Sequence, residues 1–238
     1  MKTILSVADG GPALDDVLSL AARCAALFES VHDVIHVRDL AAMGAAAAVT
    51  GFDGAIATDF APFQKLAAER AAKAKASFDR VLGREVKASF IELEGVESEL
   101  VAQYGRVSDL IVVGRPGIDP DKPEPPHVSA AIFESARPVL TAPPGKVRWP
   151  LRDVAVAWNG SAQAARAVGD ALPFLKKADV VTVLTIGSPD SRAPTNGVIR
   201  FLSHHGIKAR ADNLDLGSVS SRARGRGVLR YVDDNQVD

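Results

Sequence analysis

Leu110-Ile111-Val112-Val113-Gly114 is apolar up to its closing glycine and shows no alternation of apolar with polar side chains. A strand with water on one face alternates. A strand buried on both faces does not, and such strands belong to parallel sheets covered by helices. The flanking residues support that reading. Upstream, Val96 to Tyr104 has helical spacing and follows a strand-like Val86 to Leu93. Before them, Pro62 to Leu82 is dense in Ala, Lys, Arg and Glu, with Phe63, Leu66, Ala67, Ala74 and Phe78 able to share one helical face. Val34-Ile35-His36-Val37 is another apolar run, separated from that helix by an Ala/Gly-rich stretch, Ala41 to Gly54, with no clear period. Asp15 to Phe28 places Leu14, Val17, Leu18, Ala21, Ala22 and Ala25 at helical spacing. Pro12 suits the first turn, where a missing N–H costs nothing. The first run, Ile4 to Ala8, ends at Asp9-Gly10-Gly11-Pro12. Downstream, Val128 to Ser135 predicts a short helix and Arg137-Pro138-Val139-Leu140-Thr141 a fifth strand. Strands alternating with helices predict an α/β fold with a parallel sheet, joined by right-handed crossovers.

Pro143-Pro144-Gly145 and Trp149-Pro150 break the pattern, which then restarts. Val154-Ala155-Val156-Ala157-Trp158-Asn159-Gly160-Ser161 repeats the layout of Ile4 to Gly11, with Asn159 where Asp9 stood, an offset of 159 − 9 = 150. A helix over Ala162 to Leu175 and a strand over Val180 to Ile186 follow. Ile207-Lys208-Ala209 echoes Val86-Lys87-Ala88, and Gly217 echoes Gly95. Gly227 to Asn235 corresponds to the third helix of the first copy, and Val237-Asp238 to Ser108-Asp109. The expectation is two copies of one domain: a complete one over residues 1–145, and a truncated one over residues 152–238 without its fourth and fifth strands.

Composition narrows the function. Lys plus Arg number 28 against 29 Asp plus Glu in 238 residues, so there is no basic surplus for nucleic acid or an anionic membrane. No run approaches the ~20 apolar residues that span a bilayer. Met1-Lys2-Thr3 leads straight into the first strand, which predicts no signal peptide and a cytoplasmic protein. Cys24 is the single cysteine, so no intrachain disulfide forms, and its helical setting predicts a small buried side chain.

In open parallel sheets, ligands bind beyond the carboxyl ends of the strands, where the strand order reverses. The loops after the first and fourth strands flank that place, and here they carry Asp9-Gly10-Gly11 and Gly114-Arg115-Pro116-Gly117. A carboxylate there can accept from a ribose or base. Glycines let the backbone approach phosphates, and the next helix N-terminus favours anions.

These features together resemble the universal stress protein family in tandem form, over nearly the whole chain. The marks are Ala8-Asp9-Gly10 and Ala157-Trp158-Asn159-Gly160-Ser161, Ile35-His36-Val37, Asp109 to Gly114, and Arg137-Pro138-Val139-Leu140. The resemblance implies a Rossmann-like fold of the adenine nucleotide alpha hydrolase-like type, with five parallel strands in the order 3-2-1-4-5. It implies a non-catalytic stress-response protein binding ATP, AMP or another adenine nucleotide, through Asp9, Val37, Val113, Gly114 and Gly117. Family binders carry Gly, two residues, Gly, nine residues, Gly, then Ser or Thr. Gly114 and Gly117 match the first pair, but His127 and Val128 hold the later positions. The intervening Ile118 to Pro126 is acidic and proline-rich, which repels phosphate and removes N–H donors. Weak binding is therefore expected. The alternative is a binding or assembly module that keeps the fold without the nucleotide. An ATP-using enzyme on a related fold is disfavoured, since no HIGH-type or SGG-type phosphate motif occurs.

Other residues have plainer readings. His204-His205 lacks ligand spacing for a metal and reads as a solvated helix end. His36 reads as a satisfied core or edge residue, the arginines at 222, 224, 226 and 230 as a solvated helix face, and Ser161 as an N-cap. No catalytic constellation or certain cofactor emerges. The resemblance also implies pairing through the fifth strand. A second copy without one leaves that edge open, so the expectation is a homodimer that covers it across a two-fold axis.

Overall fold

The structure is a computed structural model that describes residues 1–39, 61–83, 87–115, 124–145, 149, 151–187, 195–217 and 220–238. The Ala41–Gly54 stretch therefore lies outside the described residues, as do the Phe63 side chain and Gly117. The chain divides into two compact units, Met1–Lys146 and Val147–Asp238.

Unit one runs β1 (Thr3–Val7), α1 (Leu14–Phe28), β2 (Val31–Arg38), α2 (Ala61–Leu82), β3 (Ala88–Glu94), α3 (Glu97–Arg106), β4 (Leu110–Gly114), α4 (Pro126–Phe133) and β5 (Val139–Ala142). Its five strands are all parallel, in the order β3-β2-β1-β4-β5. The expected sheet and strand order are both present. Helices cover both faces because the central strands are apolar on both. Val34 packs with Leu14, Leu18, Ala74, Phe78 and Leu82 beneath α1 and α2. Leu5, Val7, Ile35, Ile111 and Val113 pack with Val101, Val128, Ala130 and Ala131 beneath α3 and α4. Cys24 is fully buried on α1, and desolvation pushes its thiol up to about 12, so it stays protonated.

Several boundaries differ from the sequence reading by a few residues, two of them for a tertiary reason. β2 begins at Val31 rather than Val34, because its polar residues find partners within the fold. His32 is buried with Nε2 2.8 Å from Ser6 Oγ, and Asp33 accepts from the Ser89 hydroxyl. Desolvation lowers the His32 pKa to about 4, so its ring is neutral. β5 begins at Val139 because Arg137 turns its guanidinium away to the Arg106 carbonyl, at 3.0 and 2.7 Å. Pro12 precedes the helix instead of opening it, since Ala13 is the N-cap of α1.

At the amino end of the sheet, the Asp109 carboxylate ties β1 to the start of β4. It accepts from Lys2 N at 2.5 Å and Thr3 N at 3.2 Å, while Asp109 N donates to Thr3 O at 3.0 Å. The Lys2 amide hydrogen bond is the main reason the Asp109 carboxyl sits below its ordinary range.

Unit two runs β6 (Asp153–Ala157), α5 (Ala162–Leu175), β7 (Val180–Ile186), α6 (Thr195–His204), β8 (Ala209–Leu214) and α7 (Ser221–Asp234). Its three strands are parallel, in the order β6-β7-β8. Asp153 pairs with Val180 as Thr3 pairs with Val31, and Val181 with Ala209 as His32 pairs with Ala88. The clamp recurs as well. Asp238 accepts from Arg152 N at 2.7 Å and Asp153 N at 3.0 Å, and its own N donates to Asp153 O at 2.9 Å. The last helix begins at Ser221, six residues before the Gly227 of the sequence reading. Ser220 caps it, its side chain accepting from Ala223 N. No helix among the described residues is long and apolar enough to cross a membrane.

Candidate functional site

The site is built at the carboxyl ends of β2, β1 and β4, which lie side by side. Ala8 N donates to Ile35 O at 2.8 Å, fixing the end of β1 against β2. The chain then turns sharply. Gly10 has φ +71°, and the Asp9 carboxylate accepts from Gly11 N at 2.9 Å, leaving an exposed acid on a rigid turn. The turn is also sterically closed, because a Cβ on Gly10 would lie 3.0 Å from the Arg70 carbonyl oxygen on α2.

The register places the expected residues together. Val7 pairs with Ile35, so Asp9 and Val37 stand at the same level two residues further on. Ser6 pairs with Val112, which puts Gly114 level with Ala8. Val37 is buried, and Val113 is wholly buried in the core, backbone included. Gly114 is half-buried, where a Cβ would make ordinary contacts with Ala13 at 3.5 Å and Val17 at 3.6 Å. Asp9, Val37 and Gly114 therefore share one rim, with Val113 buried beneath it.

His36 stands just beneath this rim, 3% exposed, with Nδ1 2.6 Å from Ala8 O. A carbonyl only accepts, so Nδ1 carries the proton of that bond. Among the described residues, Nε2 is buried without a partner. The expectation of a satisfied histidine is met at one ring nitrogen and not at the other.

Sequence reading missed a set of residues across the rim. α3 starts at Glu97, whose N donates to Asp39 Oδ2 at 2.9 Å. The first turn of α4 carries His127, 6% exposed, with Nδ1 3.4 Å from Glu97 Oε1. Val128, next in that turn, packs with Val7 and Val113, so α4 begins over the ends of β1 and β4. A carboxylate thus serves the N-terminus of α3, and another stands against the ring in the first turn of α4. Acidic residues at the start of α3 were visible in the sequence; their partner on α4 was not.

Unit two repeats the turn without the acid. Gly160 has φ +75°, Asn159 Oδ1 accepts from Ser161 N at 3.0 Å, and the Ser161 hydroxyl caps α5 by accepting from Ala164 N at 3.1 Å. His204 ends α6 and His205 follows it, the arginines at 222, 224, 226 and 230 lie on α7, and all six residues are exposed. Among the described residues, no three His, Cys, Asp or Glu side chains are grouped to hold a metal.

The chain is similar in structure to a universal stress protein from Archaeoglobus fulgidus DSM 4304. The TM-score is 0.66 at 15% identity, over 99% of this chain and 82% of that one. It is also similar to a protein from Pseudomonas aeruginosa UCBPP-PA14 designated a universal stress protein. There the TM-score is 0.54 at 14% identity, over 100% of this chain and 80% of that one. At these identities the likeness establishes the fold. No protein-family model and no curated protein sequence matches the chain.

Proposed function

From the universal stress protein fold and the rim it forms, we propose a non-catalytic, cytoplasmic stress-response protein that binds an adenine nucleotide weakly in unit one. The observation that carries this reading is the exposed Asp9 carboxylate, held rigid at the strand-order reversal beside Val37 and the Gly114 backbone. A carboxylate in that position accepts from ribose hydroxyls or an exocyclic amine, and Val37 offers apolar surface to a base. Catalysis is not part of the proposal: Ser161, which follows a strand and opens a helix as a nucleophile might, serves as the N-cap of α5.

Calorimetry with AMP and ATP tests it. Asp9→Ala is expected to weaken binding roughly 10- to 100-fold, the worth of a hydrogen bond to a charged group. Affinity unchanged by that substitution would remove the assignment. So would phosphate release that disappears with it.

The protein is further proposed to be a homodimer through β5. Among the described residues, β5 pairs only with β4, and a bare edge invites another strand. Val107 and Phe133, 77% and 78% exposed, stand near that end of the sheet, linked by the Arg106 Nε bond to Glu134 O. Light scattering should give twice the chain mass, and a monomer at micromolar concentration would contradict it. The nucleotide-free module is the second reading, favoured by the carboxylate that Glu97 places at the start of α4.

A further inference from the structure

We propose that Glu97 sets what the crevice prefers: its carboxylate stands against the His127 ring at the start of α4, so the site takes an uncharged nucleoside more readily than its phosphorylated forms. This rests on the adenine reading above and narrows it. A phosphate carried past Gly114 would meet the N-terminus of the next helix, the ordinary place for an anion on such a sheet. Here that N-terminus is poor in donors. Pro125 and Pro126 have no N–H, and the amides of Val128 and Ser129 turn back to Pro125 O at 2.9 and 3.4 Å. It is also lined with acid. Glu97 Oε1 lies 3.4 Å from the buried His127 ring, and the Glu124 carboxylate accepts from Ser129 Oγ at 3.3 Å. At the start of α4 itself the buried His127 ring faces Glu97, while Arg115, after Gly114, is exposed. Asp39 in turn holds the Glu97 backbone, fixing where its carboxylate stands.

A like charge at ~6 Å across an effective dielectric constant of ~40 costs roughly tenfold in affinity. Wild-type protein should accordingly bind adenosine at least tenfold more tightly than ATP. Glu97→Gln keeps the size of the side chain and removes its charge, leaving only a neutral amide against His127. ATP affinity should then rise about tenfold while adenosine affinity moves less than twofold.

The experiment is calorimetry of adenosine and ATP on wild type and Glu97→Gln, together with NMR of the His127 ring titrated with inorganic pyrophosphate. The expected result is the stated change in ratio, with ring signals that respond to millimolar pyrophosphate only in the variant. Wild type that binds ATP as tightly as adenosine overturns the proposal. So does a variant whose ratio and pyrophosphate response match wild type; if adenosine still binds in that case, the adenine reading survives alone. A variant that gains pyrophosphate while neither protein binds adenosine leaves Glu97 as the anion guard and removes the adenine reading. Glu97→Ala supplies the same neutralisation should the glutamine variant fail to fold.

Discussion

Replacing Ile111 by alanine should destabilise unit one by about 2–5 kcal/mol, the range for deleting a fully buried Ile side chain. Ile111 has no exposure and lies mid-sheet, level with Leu5 on β1 and Val139 on β5. Its side chain packs beneath α3. A Cβ on Gly105 would come 2.7 Å from Ile111 Cδ1, so the helix rests directly on that methyl. Removing it leaves a void between two rigid layers, and neither layer can close it without breaking strand pairing. Domains of this size are stable by about 5–15 kcal/mol, so the loss is a large fraction of the whole. The measurement must follow unit one. Both tryptophans, Trp149 and Trp158, belong to unit two, so their fluorescence reports the wrong part of the chain. Amide exchange at Leu110 to Val113 under urea reads the right one. A loss below 1 kcal/mol there would mean that helix and sheet close the void after all.

Gly10→Val should cost about 2–4 kcal/mol and abolish ligand binding as well. An L-residue in the left-handed region costs roughly 1–2 kcal/mol, and a β-branched one fits it worst. Gly10 has φ +71°, and the new Cβ would also press on the Arg70 carbonyl at 3.0 Å. Backbone must give on one side or the other. Either movement displaces Asp9, whose carboxylate is held by the Gly11 amide. Gly10→Asn should be milder, because asparagine tolerates this conformation. Thermal unfolding and calorimetry of both variants check the order. An Asn variant no better than Val would point to crowding by Arg70 as the sole cause.

Sequence reading did best where local chemistry marks both ends of an element. Ala162–Leu175 and Val180–Ile186 match their expected bounds, the first opened by the Ser161 cap. β4 was legible because a short, unbroken apolar run is what burial on both faces of a sheet requires. The start of β2 was not, since His32 and Asp33 look like loop residues until Ser6 and Ser89 are seen to satisfy them. The start of α7 was legible only in part: the arginines from 222 read as a helix face, but Gly225 and Gly227 hid a start that Ser220 caps. At the site, Asp9 and Gly114 could be found because each punctuates the end of a strand. Glu97 and His127 could not be paired in advance: they lie 127 − 97 = 30 residues apart on different helices, and only the packing of those helices joins them.

In chain entropy, the two neighbours of β1 are unequal. Ile4 pairs with His32 across 32 − 4 = 28 residues, but with Leu110 across 110 − 4 = 106. Closing the longer loop costs about 1 kcal/mol more, since closure grows with the logarithm of length. Asp9 and Gly114 face one another only because that longer loop is shut. The bonds from Lys2 and Thr3 to the Asp109 carboxylate fasten it at one end of the strands. A molecule bridging the Asp9 and Gly114 loops would be a second clasp on the same loop, at the opposite end.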